Sequence, residues 1–155
     1  MADLKDTVAA GFEARFKKLA GAVRELAAPL SDEQFWQKPF PFGNSFAHLL
    51  LHLTGNLNYY IGAQIAQTGY VRDRPREFSE TARPSKAETL NKFDDAIAVV
   101  LQTIRRQSPE DWSMPYTGAG SDARDRFDIV LHCATHLHHH IGQMIYLGFE
   151  LNRKS

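Results

Sequence analysis

Apolar residues recur along this chain at spacings of three and four, the repeat of an α-helix that buries one face. Leu4, Val8, Phe12, Phe16, Leu19, Val23 and Leu26 predict a first helix over roughly residues 3–28, stopped by Pro29. Ser31 to Gln34 reads as a capped short turn of helix, and Pro39 to Asn44 as a rigid loop. A second helix, over roughly 45–67 and capped by Asn44 or Ser45, would bury Phe46, Leu49, Leu50, Leu53, Leu57, Tyr60, Ile61 and Ile65. Residues 69–84 break the repeat, and Pro75 and Pro84 predict irregular backbone there. The four arginines of that stretch, Arg72, Arg74, Arg76 and Arg83, suit either a solvated loop or a basic lid over an anionic substrate. Ser85 and Glu88 have capping-box spacing and open a third helix over roughly 86–107, with Leu90, Phe93, Ile97, Val100, Leu101 and Ile104 inward. A second long connection, bearing Trp112, Pro115, Tyr116 and Gly118, leads to a fourth helix over roughly 122–149. Ser121 or Asp122 can cap it, and Phe127, Val130, Leu131, Ala134, Leu137, Ile141, Met144 and Ile145 form its core face.

Four long amphipathic helices with no alternating strand pattern predict an all-α bundle. The connections are of similar length, so they leave the helix directions open. A chain of 155 residues fits one domain with a core of useful size. Its 18 basic and 18 acidic residues cancel, so no global field draws nucleic acid or an anionic membrane, and neither is an expected partner. The most apolar run, 46–66, carries His48, His52, Asn56 and Asn58, which reads as a buried helix rather than a membrane span. The first residues enter an amphipathic pattern directly, without the apolar core of a secretory signal. Cys133 is the only cysteine, which rules out an internal disulfide; a cytoplasmic location is the expectation.

The candidate chemistry lies in the histidines. Five of the seven fall between His132 and His140. His132, His136 and His140 follow at i, i+4 and i+8, along one stripe of a helix. Two imidazoles at that spacing can share one metal ion, but three on a straight helix rise about 12 Å and cannot. A metal would therefore take a pair from this helix and at least one ligand from elsewhere, and His48 and His52 offer a second i, i+4 pair. The Glu-x-x-His motifs of di-iron bundles are absent, which argues against two bridged metals. Asp128 stands one turn before His132 and is placed to orient it. Asn56 and Gln143 stand near proposed ligands, with hydrogen bonding and plain packing both open. Tyr59, Tyr60 and Trp112 read as core, and Cys133 as a buried, inert thiol.

Two motifs resemble a known family. Asn44-Ser-Phe-Ala-His-Leu-Leu-Leu-His52-Leu-Thr-Gly-Asn56 is similar to the second-helix motif of the DinB-like (DinB/YfiT) four-helix bundles. His136-Leu-His-His-His140-Ile-Gly-Gln143 resembles the H-x-x-x-H-x-G-Q signature of that family's last helix. The resemblance implies an up-down-down-up bundle, one divalent metal (zinc or nickel) on His52, His136 and His140, and frequent homodimers. Characterised relatives include transferases and isomerases that use a low-molecular-weight thiol, mycothiol or bacillithiol. The histidines at 48, 132, 138 and 139 go beyond the simplest family pattern.

Three neutral nitrogens leave a divalent ion cationic and with open positions, the catalytic rather than the structural pattern. The leading expectation is a metal-dependent enzyme on a small molecule, either a hydrolase or a thiol S-transferase. No Asp or Glu falls on the inward stripes of the histidine helices to serve as a general base, which favours thiol chemistry. The other expectation is a non-catalytic helical protein that binds metal for sensing or storage, or packs its histidines at an interface.

Overall fold

The computed structural model describes residues 3–153. Helix α1 (Leu4–Ala27) starts at Asp3, whose carboxylate accepts the Lys5 N–H, and ends before Pro29. Its buried stripe is Phe12, Phe16, Leu19, Val23 and Ala27, while Leu4 is exposed and Val8 half-buried. A short helix α2 (Asp32–Trp36) carries the capping box Ser31–Gln34. Helix α3 (Phe46–Leu57) is capped by Ser45, whose Oγ accepts the His48 N–H at 3.1 Å. Helix α4 (Arg74–Ser79), helix α5 (Lys86–Arg106), a single turn α6 (Pro109–Trp112) and helix α7 (Arg126–Arg153) complete the chain. Among the described residues there is no β-strand, and no helix is long and apolar enough to cross a membrane. Phe16, Phe35, Phe46 and Phe93 are fully buried between the long helices, each stabilising the fold by about 1.5–3 kcal/mol.

Side-chain pairs give the helix directions. Glu13 with Arg105 and Arg24 with Asp94 show α1 and α5 running opposite ways. His52 with His140 and Tyr60 with His132 show the same for α3 and α7. Phe12 packs on Phe127 at 5.3 Å, and further along both helices Arg15 and His138 line one groove, so α1 and α7 are parallel. The bundle is therefore up-down-down-up.

Three local features differ from the pattern-based expectation. First, the predicted helix over 45–67 does not stay α-helical. It widens into a π-turn at Asn58–Ala63, where Gln64 N–H reaches the Tyr59 carbonyl. In that stretch Tyr60 OH donates to Gly120 O at 2.7 Å and Tyr59 OH to Ala119 O at 3.3 Å. Second, the 69–84 stretch holds helix α4 despite Pro75. Proline sits in the first turn, where no N–H is needed, and Asp73 caps that turn through Arg76 N–H. Third, α7 begins at Arg126, not at 122. Residues 114–116 and 124–126 pair as extended backbone around the Pro115–Asp125 bridge, so Asp125 rather than Ser121 or Asp122 accepts the first-turn amide, that of Asp128.

Candidate metal centre

The antiparallel packing of α3 on α7 turns two histidine stripes towards each other. Of the candidates, His52, His136 and His140 bring ring nitrogens within 4.8 Å of one another. His136 Nε2 lies 3.2 Å from His52 Nε2 and 3.0 Å from His140 Nε2. Two nitrogens bound tetrahedrally to one zinc-sized ion stand about 3.3–3.4 Å apart. The cluster is thus near ligand spacing without large movement.

The donor set fits a cation. His52 Nδ1 donates to Glu77 Oε2 at 2.8 Å, and His140 Nδ1 donates to Gln143 Oε1 at 2.7 Å. With those protons on Nδ1, both Nε2 atoms carry free lone pairs aimed at His136 Nε2. One proton on His136 could satisfy one of these contacts but not both. A divalent cation satisfies all three.

Glu77 escaped sequence reasoning. It comes from α4, in the stretch expected to be irregular, and it is buried. Arg72 grips it from the far side, Nε to Oε1 at 2.7 Å and Nη2 to Oε2 at 2.9 Å, and the Arg72 guanidinium lies 5.8 Å from the Tyr60 ring centre. Burial works to raise the Glu77 pKa, but the hydrogen bonds from His52 and Arg72 outweigh it and hold the carboxyl below its ordinary value. A side chain at Gly55 would collide with the Glu77 carboxylate, so this glycine opens the space the carboxylate occupies. The one sequence signal for this arrangement was a glycine on α3 one turn after His52. The arginine-rich stretch is therefore neither a free loop nor simply a basic lid. Arg72 and Glu77 brace His52, Phe78 packs on the His52 ring at 4.8 Å, and Trp36 Nε1–H ties Pro84 O down at 2.9 Å.

The other histidines have different surroundings. His48 Nδ1 accepts from Ser45 Oγ–H at 2.7 Å and its Nε2 faces Glu80 O at 3.2 Å, so both nitrogens are engaged away from the cluster. Exposed His132 stacks on His136 at 6.0 Å. Asp128 does not orient His132 through a hydrogen bond; its carboxylate accepts from Arg124. Exposed His139 abuts His140 edge-on at 5.1 Å, and His138 faces the α1 groove. Trp112 is core, against Phe12. Cys133 is fully buried, and burial pushes its thiol up to about 12.

Burial, and then the neighbouring His140 and His52, push His136 down to about 3. Burial likewise lowers His140. Unfolded histidines take up protons below their ordinary value of 6.5, while these two, folded, take them up only at lower pH. Stability present above that value is therefore lost as the pH falls towards the folded values, by at most about 1.4 kcal/mol per pH unit for each histidine. Urea denaturation of the metal-free protein at pH 7 and pH 5.5 should show the loss. His136→Gln, which has no proton to take up, should show a smaller one; an equal loss would mean that His136 has ordinary proton affinity.

Comparisons with known proteins agree with this architecture. A family model described as the DinB superfamily matches residues 15–144. A solved structure described as a conserved protein from Enterococcus faecalis superimposes with a TM-score of 0.76 at 13% identity, covering 97% of this chain and 98% of that one. At that identity the likeness concerns the fold alone. No curated protein matches the sequence.

Proposed function

The chain belongs to the DinB superfamily, and from that premise we propose that it is a metal-dependent enzyme acting on a small molecule at His52, His136 and His140. The observation that carries this reading is the convergence of three Nε2 atoms, two of them freed by Nδ1–H bonds to Glu77 and Gln143. A divalent ion held there, zinc or nickel, would supply Lewis acidity, lowering the pKa of a coordinated water or thiol or polarising a carbonyl. The chain's own groups then do three things. Glu77 and Gln143 hold the ligand rings in orientation. Phe78 covers one face of His52 and shields it from water. His132 and His139, exposed beside the ligand rings, pack against His136 and His140 and set the polar rim of the cluster.

Next to the cluster, an open surface depression is lined by Phe78, His48, Glu80 and Arg83; it meets the candidate ligands only through Phe78, whose ring packs on His52. Between hydrolysis and thiol transfer, the locked state of Glu77 favours the second. Its carboxylate is held by His52 and Arg72, leaving no free carboxylate beside the cluster among the described residues to activate water, whereas a coordinated thiol needs no base. A cytoplasmic setting, where such thiols are kept reduced, belongs to the same proposal.

The test uses zinc- and nickel-loaded protein with a low-molecular-weight thiol and an aryl halide, and separately with a nitrophenyl ester. Turnover should appear in at least one assay and vanish on full chelation. Activity that survives metal removal would sink the mechanism. Stoichiometric metal without turnover in either assay would favour the non-catalytic sensing or storage reading.

A homodimer is part of the proposal. Phe127, Leu131, Ile145 and Phe149 of α7 stand exposed, as does Leu4 of α1. Sedimentation at micromolar concentration should give twice the monomer mass, and a monomer would count against it.

A further inference from the structure

The three candidate ligand rings are not equally anchored. His52 and His140 each have an Nδ1 acceptor, whereas His136 Nδ1 is buried without a hydrogen-bond partner. A second buried polar atom lacks a partner nearby: Asn56 Oδ1, on a residue only 4% exposed. Unsatisfied buried polar atoms are few in native proteins, and each calls for an explanation. These two are complementary, since an imidazole N–H is a donor and an amide oxygen an acceptor.

The helix register puts them at one level. Asn56 lies one turn after His52 on α3 and one turn before Tyr60 of the π-turn that continues it. On antiparallel α7, His52 meets His136 and His140, and Tyr60 meets His132. Asn56 therefore stands level with the 132–136 stretch.

We propose that Asn56 is the positioning residue for His136: its side-chain oxygen accepts a hydrogen bond from Nδ1–H, after a small rotation or across one water, and so keeps the proton on Nδ1 and the Nε2 lone pair free for the ion. This rests on the three-histidine reading above. The competing tautomer is a specific hazard here. A neutral His136 with its proton on Nε2 finds acceptors at 3.2 and 3.0 Å in His52 and His140, and in that form it cannot be a ligand. An acceptor at Nδ1 biases the ring against that state, as Glu77 and Gln143 do for its neighbours. A water suffices as the link, because buried waters bridge such groups at little cost.

The test is made on the full chain loaded with zinc. Long-range nitrogen–proton NMR should show His136 protonated on Nδ1, with that proton slow to exchange. Asn56→Leu should weaken zinc binding about 10–100-fold against a competing chelator and make the proton exchange freely. Asn56→Asp, which keeps an acceptor oxygen, should hold binding near the unaltered level. An unprotonated His136 Nδ1 in the unaltered protein would overturn the proposal. So would Asn56→Leu that binds as tightly as the unaltered chain. If Asn56→Leu does not fold, the tautomer in the unaltered protein and the affinity of Asn56→Asp still decide. Failure of the underlying reading has its own signature: one zinc per chain is not taken up, or His136→Ala keeps it, and the proposal falls with it.

Discussion

Replacing His52, His136 or His140 by alanine, one at a time, should abolish stoichiometric metal binding near neutral pH. Each change removes one of three converging nitrogens, and two imidazoles alone hold a divalent ion weakly. His48→Ala, His132→Ala and His138→Ala should keep one ion per chain. The reasons differ by residue. His48 has Ser45 and Glu80 on its two nitrogens, His138 faces α1, and His132 touches the cluster only by stacking on His136. The low proton affinity of His136 and His140 also sets the pH response. Protons compete for those two nitrogens at a lower pH than an ordinary imidazole value would give. Metal content measured on the six purified variants decides the matter. One ion per chain retained by all of His52→Ala, His136→Ala and His140→Ala would remove the site.

The second large effect belongs to Glu77. Glu77→Gln leaves Arg72 buried without its counter-charge, and breaking a buried pair from one side costs about 3–5 kcal/mol. Urea denaturation should register that loss. Metal affinity should also fall, by about 10–100-fold, because an amide is a weaker acceptor for His52 Nδ1–H than a carboxylate. The two effects can be separated. Adding Arg72→Met to Glu77→Gln removes the stranded charge and should restore much of the stability while leaving the affinity low. Gly55→Ala attacks the same contact from α3, since the new methyl group occupies the carboxylate's place and Glu77 must move. A Glu77→Gln protein with unaltered stability and affinity would show that the Arg72–Glu77–His52 chain has no energetic role.

The contacts of Arg72, Arg74 and Arg76 recast the arginine-rich connection. A solvated loop and a basic lid are the two readings open to it; the first leaves its charges to solvent and the second gives them to an anionic substrate. Arg72 faces inward and neutralises the one carboxylate that braces a candidate ligand. Arg76 pairs with Glu80, and Arg74 lies over the Phe78 ring at 5.7 Å. The connection thus contributes to the site through α4, whose proline sits where a helix tolerates it.

What the sequence determined by itself was local and periodic. The long amphipathic stripes specify four helices because burial of one face needs only the spacing of apolar residues along each segment. His136 and His140 were legible as a pair for the same reason: on any α-helix, residues four apart stand one above the other. The motif resemblance added the bundle's directions and singled out His52. Tertiary structure decided what spacing cannot carry. His48 and His52 share one stripe of α3, and only the register of α3 against α7, with Ser45 and Glu80 engaging His48, separates them. Glu77 lies 25 residues from His52 in an aperiodic stretch, and its role depends on Arg72 to balance its charge and Gly55 to leave it room. Such contacts arise from the packing of distant segments, where neither partner alters the hydrophobic repeat of its own stretch, so the pattern along the chain is silent about them.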